Sequence, residues 1–268
     1  MKKFKVLFTL VIAVALIFSL AACNGSAEDE PNNDVDNGTT DKVYVVGTDA
    51  EYPPMESIDE NGNYIGFDMD IIRAIAEAAG IKIEIKHTGW DPMFAGLDNG
   101  SIDLGISSIT IREDRQKLYD FTDPYFQANQ LMMVKKGSGI TKLADLAGKN
   151  IGVQTATTGN FVVADAFGET YAGIKGYNEA PAAVDDLLLG RLDAVVIDNA
   201  VLQEYLKVVP TAASGFELVK DPEFEVENYG IAAKKGRTDG LINKVNEGLK
   251  KIKANGTYDE IFSKYFGE

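Results

Sequence analysis

The sequence predicts an α/β chain of two lobes, each a mostly parallel sheet flanked by helices, joined by a two-strand hinge. Three observations lead there. A β-α-β-α-β pattern runs from Val43 to Ile106, and alternation of this kind builds a parallel sheet with helices on both faces. The pattern restarts after Lys135-Lys136-Gly137-Ser138-Gly139 and runs to about residue 207. A return strand near Tyr229 and two terminal helices then follow. The first lobe is therefore discontinuous, and the chain crosses between lobes twice, near 131–137 and near 225–231. Two crossings make a hinge, and a ligand between hinged lobes is the expectation for that architecture.

The elements follow in order. Val43 to Val46 is an apolar, β-branched strand that ends at Gly47-Thr48-Asp49. Pro53 and Pro54 keep the next segment, Asp49 to Glu60, out of a helix. Asp68 is placed to cap a helix with Ile71, Ile72, Ile75, Ala78 and Ala79 on one face and Gly80 at its end. Ile81, Ile83 and Ile85 alternate as a strand, and Asp91-Pro92 opens a short helix carrying Met93, Phe94 and Leu97. Ile102 to Ile106 is a buried strand, and Ala128 to Val134 another. In the second unit the strands are Ile151 to Val153, Ile174 to Tyr177 and Ala194 to Ile197. Its helices are Leu143 to Leu146, Phe161 to Phe167, Ala180 to Leu189 and 199–207. Tyr229 to Ala233 returns as a strand. A helix from about Thr238 to Ala254 is stopped by Asn255-Gly256, and a short helix through Tyr258 and Phe266 ends the chain.

The first 22 residues belong to export. Lys2, Lys3 and Lys5 precede an apolar run that ends in Leu20-Ala21-Ala22-Cys23, the layout of a secretory signal with small residues at the cleavage point. Cys23 is the sole cysteine, so an internal disulfide is excluded, and Leu-Ala-Ala-Cys resembles a bacterial lipobox whose cysteine is lipidated. Residues 23–41, rich in Asn, Asp, Gly, Ser and Thr, have little to bury and are expected to be a disordered tether, with a reach of roughly 20–25 Å as a coil. The expected division is 1–22 signal, 23–41 tether, 42–133 with 229–268 as lobe one, and 134–228 as lobe two. The formal charge of −15 becomes more negative once the three signal lysines are removed. That argues against nucleic acid and against adhesion to anionic lipid.

The stretch Ser107 to Arg115 follows a strand end, where open α/β sheets bind small ligands. Thr110 and Arg115 offer a hydroxyl and a guanidinium fork to a carboxylate. Asp198, at the end of another apolar strand, suits a cation, and Thr158 with Gly159 at a helix start offers N–H groups to an anion. A zwitterion held by Arg115 and Asp198 would touch both lobes. Taken singly, Asp198 also suits a helix N-cap and Arg115 a charged surface helix. There is no nucleophile elbow, P-loop or zinc-ligand cluster, and His87 is the lone histidine. No cofactor, metal or catalytic residue is expected.

Several short blocks bear on these alternatives. They are Gly66-Phe67-Asp68-Met69-Asp70, Asp103 through Thr110 to Arg115, and Asp120-Phe121-Thr122-Asp123-Pro124-Tyr125. They continue with Gly152-Val153-Gln154, Thr157-Thr158-Gly159, Gly190-Arg191-Leu192-Asp193-Ala194 before Asp198, and Asn255-Gly256-Thr257-Tyr258. In this order the chain resembles the bacterial extracellular solute-binding family 3, the polar amino acid-binding proteins of ABC importers. The resemblance implies a type II periplasmic-binding-protein-like fold and a monomeric receptor that delivers its ligand to permease subunits. It implies that Arg115 grips the α-carboxylate with N–H groups of Thr110 and Thr158. Asp198 would take the ammonium with the Thr110 hydroxyl and the Ser108 carbonyl. Tyr52 and Trp90 would sandwich the side chain, with Asp49 at its tip and Gln154 nearby. Ala156 stands where many members carry Gly, so its loop must avoid positive φ or accept strain. Two aromatic faces and Asp49, with Glu51 adding charge, favour arginine, lysine or histidine; glutamine stays open. The competing function is a dehydratase-like enzyme on the same fold, with Glu51 as its acid.

Overall fold

The computed structural model describes residues 42–267. The signal segment, Cys23 and the tether lie outside the described residues. The β-branched run after Lys42 forms β1 (Val43–Thr48), and a small hairpin, β2 (Ser57–Ile58) with β3 (Tyr64–Ile65), follows the proline loop. Helix α1 (Phe67–Ala79) buries Ile71, Ile72 and Ile75 and ends on left-handed Gly80. Next come β4 (Lys82–His87), α2 (Trp90–Asn99), β5 (Leu104–Gly105), α3 (Glu113–Leu118), β6 (Tyr119–Phe121) and β7 (Phe126–Ala128). The second half holds β8 (Gln130–Lys135), β9 (Ile151–Gln154), α4 (Thr158–Phe167), β10 (Ile174–Tyr177), α5 (Ala180–Leu188) and β11 (Ala194–Asp198). Helices α6 (Asn199–Val208) and α7 (Pro210–Gly215) lead into β12 (Phe216–Val219). The chain returns through β13 (Glu227–Tyr229) and β14 (Ala232–Lys234) to α8 (Leu241–Ala254) and α9 (Thr257–Phe266).

Two five-stranded sheets result, ordered β4-β1-β5-β14-β6 and β10-β9-β11-β8-β12. In the first, β1 runs parallel to β4 and β5, and the return strand β14 pairs antiparallel with β5 and β6. In the second, β9 runs parallel to β10 and β11, and β8 pairs antiparallel with β11 and β12. Helices cover the first sheet through Ile71, Ile75, Val245 and Leu249 on one side and Met93 and Leu97 on the other, all nearly or fully buried. Each such side chain contributes roughly 1.5–3 kcal/mol by leaving water. α1 and α8 approach closely because Gly248 has no side chain: a Cβ there would lie 2.6 Å from the Ile75 carbonyl oxygen.

The crossing strands are β7 and β13, paired antiparallel with Glu227 opposite Ala128 and Tyr229 opposite Phe126. This moves one expected boundary. The sequence reads Ala128 to Val134 as one strand crossing near 131–137, but the strand divides at Asn129. Residues 130–133, expected in lobe one, pair in the second sheet, with Met132 opposite Val196 and Met133 opposite Val195. The reason is burial: Leu131 to Val134 are all buried, and Met132 to Val134 sit between β11 and β12, so their unbroken apolar run gives no sign of the change of sheet.

Other departures have local causes. Asp68 is not the cap of α1; Gly66 occupies that position, and the Asp68 side chain turns inward. α2 begins at Trp90, a residue before Asp91-Pro92. The helix expected from Thr238 begins at Leu241, after left-handed Gly240. The β2–β3 hairpin, β6, α7 and β12 are additional elements.

Candidate functional site

Five strand ends converge. β1 delivers Asp49 and Tyr52, β4 delivers Trp90, and β5 delivers Ser107, Ser108, Thr110 and, through α3, Arg115. From the second sheet, β9 delivers Gln154, Thr157 and Thr158, and β11 delivers Asp198. All these side chains, with Glu56, line one cavity. The nine residues expected from sequence, Asp49, Tyr52, Trp90, Ser108, Thr110, Arg115, Gln154, Thr158 and Asp198, are thus brought together. Ends of parallel strands carry free backbone groups at a common edge, which is why ligand sites collect there.

The two walls touch through their polar groups. The Tyr52 hydroxyl donates to Asp198 Oδ2 at 2.6 Å, and Gln154 Nε2 donates to Asp49 Oδ2 at 2.9 Å. Thr158 Oγ1 donates to Thr110 Oγ1 at 3.1 Å. The cavity encloses about 20 Å³, room for roughly one water. A larger occupant needs room that these bonds between the walls now close.

Arg115 is 7 % exposed. Its two terminal nitrogens donate to the Thr110 and Ala156 carbonyls, each at 3.1 Å, and its guanidinium lies 5.2 Å from the Trp90 ring. Burial lowers its pKa to about 10, so it stays charged at neutral pH. A guanidinium has five N–H donors, and these bonds use only part of that set. Trp90 Nε1 also reaches the Ala156 carbonyl, at 3.3 Å. Across the cavity Asp198 is buried; it occupies the N-cap position of α6, as the alternative reading has it, but its side chain makes no capping bond. Its carboxylate accepts from Tyr52 and Gln130, and its pKa is pushed up to about 7, first by burial and then by the Glu227 charge. Asp49 is also raised, by burial above all.

Thr157 caps α4, its side chain accepting from the Asn160 N–H. Gly159 is required by closeness, since a Cβ there would fall 2.5 Å from the Val196 carbonyl oxygen. The backbone is strained around the cavity. Among the described residues the non-glycines with positive φ are Ala50, Ser108 and Ala156, at 54°, 51° and 59°, and all three lie in its loops. Ala156 therefore takes the strained alternative. Such residues cost of order 1–3 kcal/mol each and persist where surroundings hold them; the Asn160 side chain accepting from the Ala156 N–H is one such hold.

Sequence reasoning missed Glu56, Gln130 and Glu227, and read Ser107 and Thr157 only as parts of the stretches around the site. Glu227 accepts from Thr110 Oγ1 at 2.6 Å and from Gln130 Nε2 at 2.8 Å. Gln130 Nε2 also reaches Asp198, so a hinge acid ties one wall to the other. The available signal was a Gln in an apolar strand and an acid at an expected crossing. Glu51 lies off the cavity lining. Its side chain is 34 % exposed and sits 3.9 Å from His87 Nε2. Its pKa is raised to about 7 by partial burial, by a bond with Glu179 and by charge from Glu179 and Asp49. Glu51 and Glu179 thus bring two further acids near Asp49.

The bacterial extracellular solute-binding proteins, family 3, match residues 44–268 of this chain. A probable histidine-binding protein of Neisseria gonorrhoeae is 40 % identical over 261 residues, which cover 96 % of this chain and 95 % of that protein. Among solved structures, the arginine-, lysine-, histidine-binding protein ArtJ of Geobacillus stearothermophilus is 43 % identical with a TM-score of 0.80, covering 85 % of this chain and 96 % of that one. An ancestral amino acid-binding protein described as a precursor of cyclohexadienyl dehydratase is 35 % identical with a TM-score of 0.75, covering 84 % and 95 %. The expected type II periplasmic-binding-protein fold is the one found. The chain belongs to the bacterial extracellular solute-binding proteins, family 3.

Proposed function

We propose that the protein captures a cationic L-amino acid between two lobes and delivers it to the permease subunits of an ABC importer. The observation that carries this reading is the placement of Arg115 and Asp198, opposite charges from the two sheets, in one buried cavity. An α-amino acid carries one charge for each. Arg115 takes the carboxylate with N–H groups of Thr110 and Thr158, and Asp198 with Thr110 and the Ser108 carbonyl takes the ammonium. The lobes are the two sheets with their helices, hinged at β7 and β13. Only the closed arrangement lets both touch the ligand, so the ligand favours closure.

The cationic preference rests on the mouth of the cavity. Trp90 and Tyr52 present aromatic surface to the cavity and Asp49 a carboxylate, and Glu51 and Glu179, outside its lining, add negative charge near Asp49. The relatives named for histidine, and for arginine, lysine and histidine, support the same class. A binding role is favoured over a dehydratase-like one because Glu51 stands outside the cavity lining and faces Glu179. The protein is proposed to act as a monomer. It is proposed to be held at the outer face of the cell membrane by acyl chains, palmitate among them, on Cys23. More than one chain is needed for firm anchoring.

A thermal-shift panel of arginine, lysine, histidine and glutamine tests the ligand class, since binding to the folded state raises the melting temperature by mass action. A cationic member should give the largest shift. Asp49→Asn should weaken that cationic ligand by about 10- to 100-fold, the scale of a lost charge-assisted bond, and glutamine less. Equal losses for both would remove Asp49 from the tip.

A further inference from the structure

A second pair of acids, Glu56 in the cavity wall and Asp68 behind it, has no part in the proposed ligand contacts. Glu56 and Asp68 are both 0 % exposed. The Asp68 N–H donates to the Met55 carbonyl at 2.8 Å, which brings the start of α1 against the segment carrying Glu56. Asp68 Oδ2 accepts from the Ser108 N–H and from the Tyr125 hydroxyl, both at 2.8 Å. Asp68 Oδ1 is buried and has no N–H or other side-chain donor. The Glu56 carboxyl is its neighbour. Glu56 Oε1 accepts from Ser107 Oγ at 2.6 Å, and Ser107 Oγ in turn accepts from the Asp49 N–H at 3.1 Å.

We propose that Glu56 and Asp68 hold one proton between them at neutral pH, carried on Glu56 and donated to Asp68 Oδ1, and that this pair positions Asp49 and the left-handed Ser107–Ser108 turn.

Two adjacent anions out of water repel strongly, and sharing one proton relieves that repulsion. The other titratable groups facing the pair are Asp49, from the end of β1, and Tyr125, from the segment before β7. Both are acids and supply no compensating positive charge. The charge belongs on Asp68, which has two donors and sits in the first turn of α1 at its positive end. Burial, then the neighbouring carboxylate, raises Glu56 well above the usual range, and burial raises Asp68 as well. The anion then accepts the Ser108 N–H and pins a residue at φ 51°, while the protonated partner orders Ser107 and through it Asp49. These are positioning residues, acting on the cavity wall through other groups.

A raised carboxyl stabilises the fold below its unfolded pKa and loses that contribution as pH rises through its folded pKa. Melting temperature from pH 5 to pH 9 should therefore fall more steeply in the wild type than in Glu56→Gln. Gln keeps an N–H for Asp68 and an oxygen for Ser107 but has no proton to lose. Asp49 and Asp198 contribute to both slopes alike, so the difference isolates the pair. Carboxyl carbon NMR of glutamate-labelled protein should contain, besides the partly protonated Glu51, a signal in the fully protonated range at pH 7 that is absent from Glu56→Gln. These two readouts do not depend on the ligand. A third rests on the proposed function: Glu56→Ala, which leaves a buried acceptor bare, should lower affinity for L-arginine about tenfold or more. A Glu56 signal titrating near the ordinary glutamate value, or equal slopes in wild type and Glu56→Gln, overturns the proposal. If the proton is found but L-arginine does not bind, the pair stands and the ligand assignment falls.

Discussion

Arg115→Ala is expected to abolish amino acid binding, with affinity falling by at least about 1,000-fold, or about 4 kcal/mol, the scale of a broken buried charge pair. The guanidinium is buried and held by two backbone carbonyls over Trp90, so little of it must be reordered when a carboxylate arrives. Alanine removes the fork and leaves that carboxylate with backbone N–H groups alone. Lysine restores the charge but not the paired donors and should recover only part of the loss. The fold should survive in both variants, since α3 is short and Arg115 is its only buried residue. Calorimetry measures the affinity and circular dichroism the fold. Unchanged affinity would take Arg115 out of the site.

Asp198→Asn is expected to have an effect of similar size and to change the pH dependence as well. Asp198 is pushed up to about 7 by burial and then by Glu227. A ligand ammonium favours the carboxylate, so binding near or below neutral pH must expel a proton. Affinity should then fall by about tenfold per pH unit below 7, with one proton released per ligand bound. The protein's own stability moves the other way: the raised Asp198 contributes below its unfolded value near 3.8 and loses that contribution as pH rises through about 7. Asparagine keeps the shape, loses the attraction, and should remove one proton from the binding linkage. Titrations in two buffers of different ionisation enthalpy count that proton. A pH-independent wild-type affinity would contradict the ammonium assignment.

What could be read from the sequence follows from how local each signal is. Residues 107–115 and Asp198 were visible because a polar group at the end of an apolar strand is a pattern within a few residues. Asp49, Tyr52, Trp90 and Gln154 came from the family resemblance, since nothing adjacent to them marks a cavity. Glu227 stayed hidden because its partners are far away in the chain: Thr110 lies 117 residues off and Gln130 lies 97. Asp68 was misread because an Asp before a periodic apolar run has the local features of a helix cap. Gly66 took that position, and the carboxyl was drawn inward by Ser108 and Tyr125. The division at Asn129 was hidden because Ala128, the buried end of β7, reads on into β8, which is buried on both faces. Local pattern thus located the strands and most of their ends, while the buried polar network depends on contacts that form only in the folded chain.

The central claim is that Arg115 and Asp198 hold the two charges common to every amino acid. It is tested most directly by calorimetric titration of L-arginine beside two analogues: agmatine, which lacks the carboxylate, and 5-guanidinovaleric acid, which lacks the ammonium. Tight binding of L-arginine is expected, with each analogue weakened by at least about 100-fold, since each leaves one buried charge unpaired. Binding of either analogue as tightly as L-arginine would contradict the account.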